Sequence, residues 1–444
     1  MNAHSAPSRR PAPVPADARR ARWAVSLLFL LNGASFCAIL PRYPELVESI
    51  GLSNTAFGLA VGIGPIGGLV AGLAAARLMR RWGSASVAVI AQVVASTSHL
   101  LVYVASSWLW LAGALIIAMA ADAITDISMN SHGMRVERRY RRSIMNSYHG
   151  WWSLGAVGGG LFGSAAAQLG VALWLQGLVG LVVFGAAAVV SRWFMLAGDD
   201  ATERTAPTPA PAGAVAGPAP GSAGEVPATP VPGGMRIAGM TLRSLGLVCA
   251  LGMILVFAGS TEDAGSTWGA LFMLDTFEVT PFAAGLAFVA LQGAQTIGRF
   301  TGDAVVDRLG DRATARLGAA VSALGMTLAL LVPSPATAII GFAAAGWGVA
   351  TLFPAAYRAA DDMPGVPQGV GLTVVGWFAR LGFFVSPPIV GALADALTLR
   401  YALWMVPLYA VGILVFSGAL SGRFDRHGTG AEASGRSGTA DAER

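Results

Sequence analysis

The sequence predicts an all-α polytopic membrane protein, with twelve transmembrane helices in two pseudo-symmetric six-helix bundles. Three observations predict it. Charged residues make up 12% of the 444 and hydrophobic residues 55%, whereas an ordinary soluble domain carries about 25% charged residues. Apolar runs able to cross a hydrocarbon core of about 30 Å recur a dozen times. The arginines gather almost entirely on one side of those runs.

In order, the predicted spans are residues 23–40, 54–79, 87–105, 108–134, 144–169 and 172–196, then 244–268, 281–305, 315–332, 336–357, 369–393 and 400–420. The first apolar run is too long for a signal peptide and reads as a retained helix. The second span opens on Ser53 and the eighth on Thr280-Pro281, which are N-cap residues followed, in the eighth, by proline at the first helical position. The fourth carries Asp122, Asp126 and Asn130, the fifth is rich in glycine, and the eleventh contains Arg380. Residues 198–234 are rich in Pro, Ala, Gly and Thr and have nothing with which to build a core. The expected organisation is a disordered tail over 1–21, a bundle over 22–196, a disordered linker over 197–240, a second bundle over 241–420 and a disordered tail over 421–444.

All 29 basic residues are arginine. With the N-terminus inside, only Arg42 and Arg400 fall on the outer side and Arg380 falls within a span. One missed helix would scramble every later loop, so both termini are expected to be cytoplasmic. Arg135, Arg138, Arg139, Arg141 and Arg142 are placed in one cytoplasmic loop. This bias accounts for the net charge of +5, so no nucleic-acid partner is inferred. The partners expected are the lipid bilayer of a bacterial cytoplasmic membrane and a small-molecule substrate, with the chain a monomer. Cys37 and Cys249 read as small apolar residues. The Gly62–Gly67 and Gly158–Gly163 stretches fit a dinucleotide pattern but lie in apolar helices without a preceding strand. No metal site, cofactor or nucleophile–base cluster is visible, which argues against an enzyme; a proton gradient is the expected driving force.

The two halves align without a gap at an offset of 227. Residues 52–83 match 279–310: Gly58-Leu59-Ala60 lands on Gly285-Leu286-Ala287, and Arg81 and Gly83 land on Arg308 and Gly310. Repeated bundles of this kind suggest alternating access around a midplane site.

The loop Asp307-Arg308-Leu309-Gly310-Asp311-Arg312, preceded by Gly302, resembles the signature loop between the second and third helices of each half of the major facilitator superfamily. Its first-half counterpart, Arg80-Arg81-Trp82-Gly83, departs from the pattern, with Arg80 where the family has Asp. More narrowly, Asp126-Ile127-Ser128-Met129-Asn130, Val136-Glu137-Arg138-Arg139, Met145 and His149-Gly150-Trp151-Trp152-Ser153-Leu154-Gly155 resemble the MosC-like/YbjJ-like branch, as do Glu262-Asp263 with Trp268 and Pro387-Pro388 with Gly391. The resemblance implies a secondary transporter whose fourth and seventh helices line a central cavity. It also implies a gating loop (Arg81, Gly83, Asp307, Arg308, Gly310) in which Asp307 meets the N-terminus of the fifth span near Ser143. A polar cyclitol or sugar is the solute class it suggests.

Ionisable groups at membrane depth cost about 2.5–3.5 kcal/mol each on insertion scales and so mark candidate sites. Asp122, Asp126 and Asn130 are spaced i, i+4, i+8 and share one helix face. They form either a proton- or substrate-binding stripe or a structural pair with loop arginines such as Arg135. Arg380 would bind an anionic group or make a fixed interhelical salt bridge. Glu262 and Asp263, placed toward the outer end of the seventh span, suit an outer gate or solvated helix-end carboxylates. His149 would relay protons or, more simply, pack beside Trp151 and Trp152. Asn32, Gln292 and Gln295 would contact substrate or one another. Glycine stripes at 64, 68, 72 and at 155, 159, 163 allow close backbone approach, and the family resemblance implies that they face the opposite bundle. The reading is a proton-coupled secondary active transporter of a small polar solute. A drug or secondary-metabolite exporter is the alternative, and a non-transporting sensor a distant one.

Overall fold

The computed structural model describes residues 14–140, 144–198, 236–237, 240–367 and 370–420. Twelve long helices are present among them. The first half contains α1 (Ala16–Cys37), α2 (Asn54–Trp82), α3 (Ser84–Tyr103), α4 (Trp108–Tyr140), α5 (Met145–Gln168) and α6 (Leu173–Arg192). The second contains α7 (Leu242–Thr276), α8 (Pro281–Leu309), α9 (Asp311–Leu331), α10 (Pro335–Asp361), α11 (Val370–Ala396) and α12 (Leu399–Ala419). Ten of these are apolar and long enough to be spans by mean hydropathy alone. The other two, α5 and α8, are diluted by glycine and polar residues because they face each other across the boundary between the halves.

The internal repeat is visible in the local structure. Both α2 and α8 are 29 residues long. Each is capped by the predicted hydroxyl: Ser53 Oγ accepts from the Ala56 amide at 3.2 Å, and Thr280 Oγ1 from the Ala283 amide at 3.3 Å. Each ends on a glycine at positive φ, Gly83 at 76° and Gly310 at 82°, from which the next helix starts at once. Only glycine takes that backbone conformation without strain, so the tight α2–α3 and α8–α9 corners require it.

Packing between the halves is concentrated at one end. There α2 meets α11 and α5 meets α8. One hydrophobic cluster runs across both halves at this end, with Phe57 of α2 edge-on to Trp268 of α7 at 5.6 Å and both rings wholly buried. Toward the other end, which carries the arginine-rich segments, the core splits into two clusters. One belongs to the first half (Leu28, Phe29, Met129, Tyr148), the other to the second (Leu251, Leu255, Leu352, Ala356). The halves are therefore sealed together at one face and parted at the arginine-rich face.

Several boundaries differ from expectation. The first helix begins at Ala16, inside the segment assigned to a disordered tail, because Ala18 and Ala21 bury completely, Asp17 pairs with Arg139, and Arg22 stacks over Tyr140 at 5.3 Å. The fourth helix runs on to Tyr140, which puts Arg135, Arg138 and Arg139 on a helix rather than in a loop. Residues 236–237 and 240–241, within or beside the expected linker, form a short antiparallel pair whose Met240 enters the second-half core. The tenth span is broken near Ala350-Thr351, and the twelfth near Leu403-Trp404. Of the other expected linker and tail residues, Val14, Pro15, Ala197 and Gly198 are described and the rest lie outside those described.

The glycine stripes also have partners other than those expected. A Cβ on Gly155, Gly159 or Gly163 would press into the carbonyl oxygens of Leu30 and Ala34 of α1 and of Ala38 just past its end, in the same half. Gly64, Gly68 and Gly72 likewise face α4. The halves meet instead through Gly58 against Pro387 and Gly391 against Asn54. A four-residue stripe lets two backbones lie close along their length, and here it seals neighbours inside a bundle. Gly159→Val should therefore lower the melting temperature in detergent, an overpacking cost of about 1–3 kcal/mol; Gly158→Val, where a Cβ meets open space, should leave it unchanged.

Candidate functional site

Between the halves, below the aromatic seal, lies a cavity of about 350 Å³. Its walls carry Asp122 of α4, Glu262, Asp263 and Thr267 of α7, and Arg380 of α11 among apolar side chains. A second cleft, about 500 Å³, continues toward the arginine-rich face between α2, α4 and α11, and holds Asp126, Trp377 and again Arg380. Arg380 is thus common to both spaces and stands opposite the Asp122/Asp126 face of the other half. Its one hydrogen bond among the described residues goes to the Gly376 carbonyl at 3.2 Å, which leaves donors for a solute or a carboxylate. Asp126 lies within electrostatic reach of Arg380.

Each carboxylate is held by a neighbour. The Asn32 side chain, 3% exposed, donates to Asp122 Oδ1 at 2.9 Å and accepts from the Trp152 indole at 2.9 Å. Three helices, α1, α4 and α5, are thereby tied at the depth of Asp122, and Asn32 positions that carboxylate rather than lining the cavity. Asn130 donates to both the carbonyl and Oδ1 of Asp126 at 2.8 Å. Arg135, the alternative partner for Asp126, donates instead to the carbonyls of Ala197 and Gly198 beyond α6.

The α7 pair sits near the middle of its helix, not toward the outer end, because α7 starts at Leu242 and runs on to Thr276. Gln295 of α8 donates to Glu262 at 2.8 Å. Asp263, 5% exposed, accepts from Thr267 at 2.6 Å and lies beside Ser386 of α11. Gln292 is buried, and none of the cavities described here includes it.

A third space, about 700 Å³, lies between α5, α8 and α10 toward the arginine-rich face. His149 is exposed on its wall near Arg299, with only Phe29 edge-on at 5.3 Å, rather than packed among the tryptophans. Trp151, two residues on, lies on the opposite side of α5, and the Trp152 indole is engaged by Asn32 instead. Asp307 is exposed and makes no hydrogen bond or ion pair with α5 among the described residues; Ser143 lies outside them. The first amides of α5, those of Ile144 and Met145, donate instead to Glu137 at 2.6 and 2.9 Å. Arg81 stacks over Trp82 at 5.8 Å, and Asp311, one residue past Gly310, pairs with Arg358 at 3.1 Å. Arg308 is exposed at the end of α8.

Sequence reasoning missed a polar network at the sealed end. Arg42, wholly buried, binds Gln176, Glu45 at 2.6 Å and the Val171 carbonyl at 2.6 Å; Gln176 reaches Tyr103 at 2.7 Å. A signal was present, since Arg42 stands against the arginine bias.

The family model described as Major Facilitator Superfamily matches residues 25–264 and 250–438. The chain belongs to the major facilitator superfamily. Among superfamily relatives, it is 27% identical over 409 residues to "Membrane protein MosC" of Rhizobium meliloti, covering 92% of this chain and 91% of that one. It is 26% identical over 395 residues to an uncharacterized MFS-type transporter of Yersinia pestis, covering 89% and 94%. Among solved structures, the nucleoside transporter NupG superposes with a TM-score of 0.68 at 10% identity, covering 90% of this chain and 99% of that one. A bacterial homologue of the human lysosomal transporter Spinster, inward-facing and unoccupied, gives 0.67 at 16% identity, covering 92% and 98%. These likenesses show the superfamily fold.

The Gln295–Glu262 contact gives a direct check on the geometry. In a double-mutant cycle with Gln295→Ala and Glu262→Ala, thermal stability should show a coupling of about 0.5–3 kcal/mol, and additive losses would mean that the two side chains do not meet.

Proposed function

We propose that the chain is a secondary active transporter that moves a small polar solute, sugar- or cyclitol-like, across the bacterial cytoplasmic membrane by alternating access, coupled to protons. The observation that carries this reading is Arg380, a cation of one half set opposite two carboxylates of the other in a space sealed at one end. A charge pair shared between two bodies that part at only one face suits a site whose access is switched by their rocking. If the arginine-rich face is cytoplasmic, as the charge bias requires, the conformation described is open inward.

Asp122 and Asp126 are the proposed proton carriers. They lie one turn apart on α4, Asp122 at the closed cavity and Asp126 in the cleft leading away from it. A proton on either weakens its attraction to Arg380, so protonation, solute binding and the relation of the halves are linked at one place. Arg380 and the α7 carboxylates would take the hydroxyl and charged groups of the solute. A second reading, export of an amphiphilic drug or secondary metabolite, is favoured by Phe36, Val61, Leu69, Met119 and Phe383 in the same walls. Broad hypersensitivity of a deletion strain in a susceptibility panel would select that reading.

The solute should emerge from a thermal-shift screen of purified protein with cyclitols, sugars, amino acids and secondary metabolites, because a ligand of the folded state raises the melting temperature. With that solute in proteoliposomes, Asp122→Asn should reduce pH-gradient-driven transport about tenfold or more, a loss of about 1.4 kcal/mol or more. Undiminished gradient-driven transport would remove Asp122 from the coupling.

A further inference from the structure

At the sealed face, the carboxylate of Asp395 near the end of α11 crosses to the other half and meets the start of α2. Oδ1 accepts from the Asn54 amide and side chain, both at 3.0 Å, and Oδ2 accepts from the Thr55 amide at 2.8 Å. These are among the first amides of α2, which have no partner inside the helix. A negative charge at a helix N-terminus is also favoured by the helix dipole.

The same contact is made in the reverse direction. Gln168, the last residue of α5, accepts from the Phe282 amide at the start of α8, at 3.3 Å. The repeat offset of 227 takes Gln168 to Asp395, Asn54 to Pro281 and Thr55 to Phe282. The two contacts are therefore copies of one arrangement, related by the pseudo-symmetry of the halves. They differ in two respects. The first uses a full charge and the second a neutral amide. The first engages two backbone amides and the second one, because Pro281 has no N–H. A close approach of α11 to α2 supports the first: one turn before Asp395, a Cβ on Gly391 would meet the Asn54 carbonyl.

We infer that Asp395 and Gln168 are paired outer latches, each of which holds the N-terminus of a helix in the opposite bundle and stabilises the state closed at this face, Asp395 more strongly. The inference rests on the alternating-access reading. Opening at this face must carry α2 away from α11 and α5 from α8, because these are the helices that meet there. Both sets of hydrogen bonds would then break together. The sign of the charge sets the bias: a carboxylate at either latch favours the closed face, and its removal favours opening.

The test measures opening at this face and needs no knowledge of the solute. In a Cys37→Ala, Cys249→Ala background, Ser266→Cys places one thiol in the central cavity. Spheroplasts are treated with a membrane-impermeant thiosulfonate, which reaches that thiol only when the outer face opens. Asp395→Ala should raise the labelling rate about threefold or more, Asp395→Asn by less, and Gln168→Glu should lower it. The opposite responses to charge removal and charge addition are what a general loss of packing cannot produce. Gln168→Glu keeps the side-chain volume, so the test stands even if Asp395→Ala does not reach the membrane. Equal rates in all variants, or faster labelling of Gln168→Glu, would overturn the inference. If labelling follows the expected order while Asp122→Asn transports normally, the latches stand and proton coupling through Asp122 falls.

Discussion

Asp122, Asp126, Glu262 and Asp263 stand at a depth where hydrocarbon would reject them, and each must find donors, a counter-charge or water. Much of the architecture follows from that constraint. Asn32 and Trp152 tie α1 and α5 to Asp122, Gln295 ties α8 to Glu262, and Thr267 serves Asp263 within its own helix. The carboxylates gather where the two halves face one another, because only there does a gap between bundles replace lipid. The least apolar of the long helices, α5 and α8, take part in that boundary for the same reason.

The repeat supplies a second kind of order. Identical corners at Gly83 and Gly310 and matching caps at Ser53 and Thr280 build the same scaffold twice, and the chemistry placed on it then diverges. At the start of the third helix of each half, Ser84 meets His132 where Asp311 meets Arg358. Most of the acidic side chains of the central cavity come from the second half, whereas the two one-turn-apart aspartates come from the first. Such divergence lets one half present a cation to the other without the reciprocal pairing that strict two-fold symmetry would impose.

Close packing and polar contact also divide their work. Inside the first half, glycine stripes bring neighbouring backbones together along their length. Between the halves, contact is concentrated at the sealed end, where Phe57, Trp268 and the residues around Gly58 and Gly391 meet. The core accordingly forms one body at that end and two at the other. A hydrophobic seal of limited extent can be released without dismantling either bundle.

The twelve helices, the repeat, the capped corners and the identity of the membrane-buried carboxylates were legible in the linear sequence, because hydropathy, helix caps and charge bias are local or additive properties. Tertiary structure decided the rest. Whether a glycine stripe faces its own bundle or the other depends on which helix lies beside it, and periodicity does not specify that. Asn32 is a support for Asp122 rather than a wall of the cavity because α5 places Trp152 against it. His149 faces a cavity between the halves, Arg135 binds carbonyls beyond α6 rather than Asp126, and Glu137 takes the first amides of α5 across the turn that joins α4 to it. A side chain's type and depth are written in its neighbours along the sequence, but its hydrogen-bond partners exist only once the helices have been brought together.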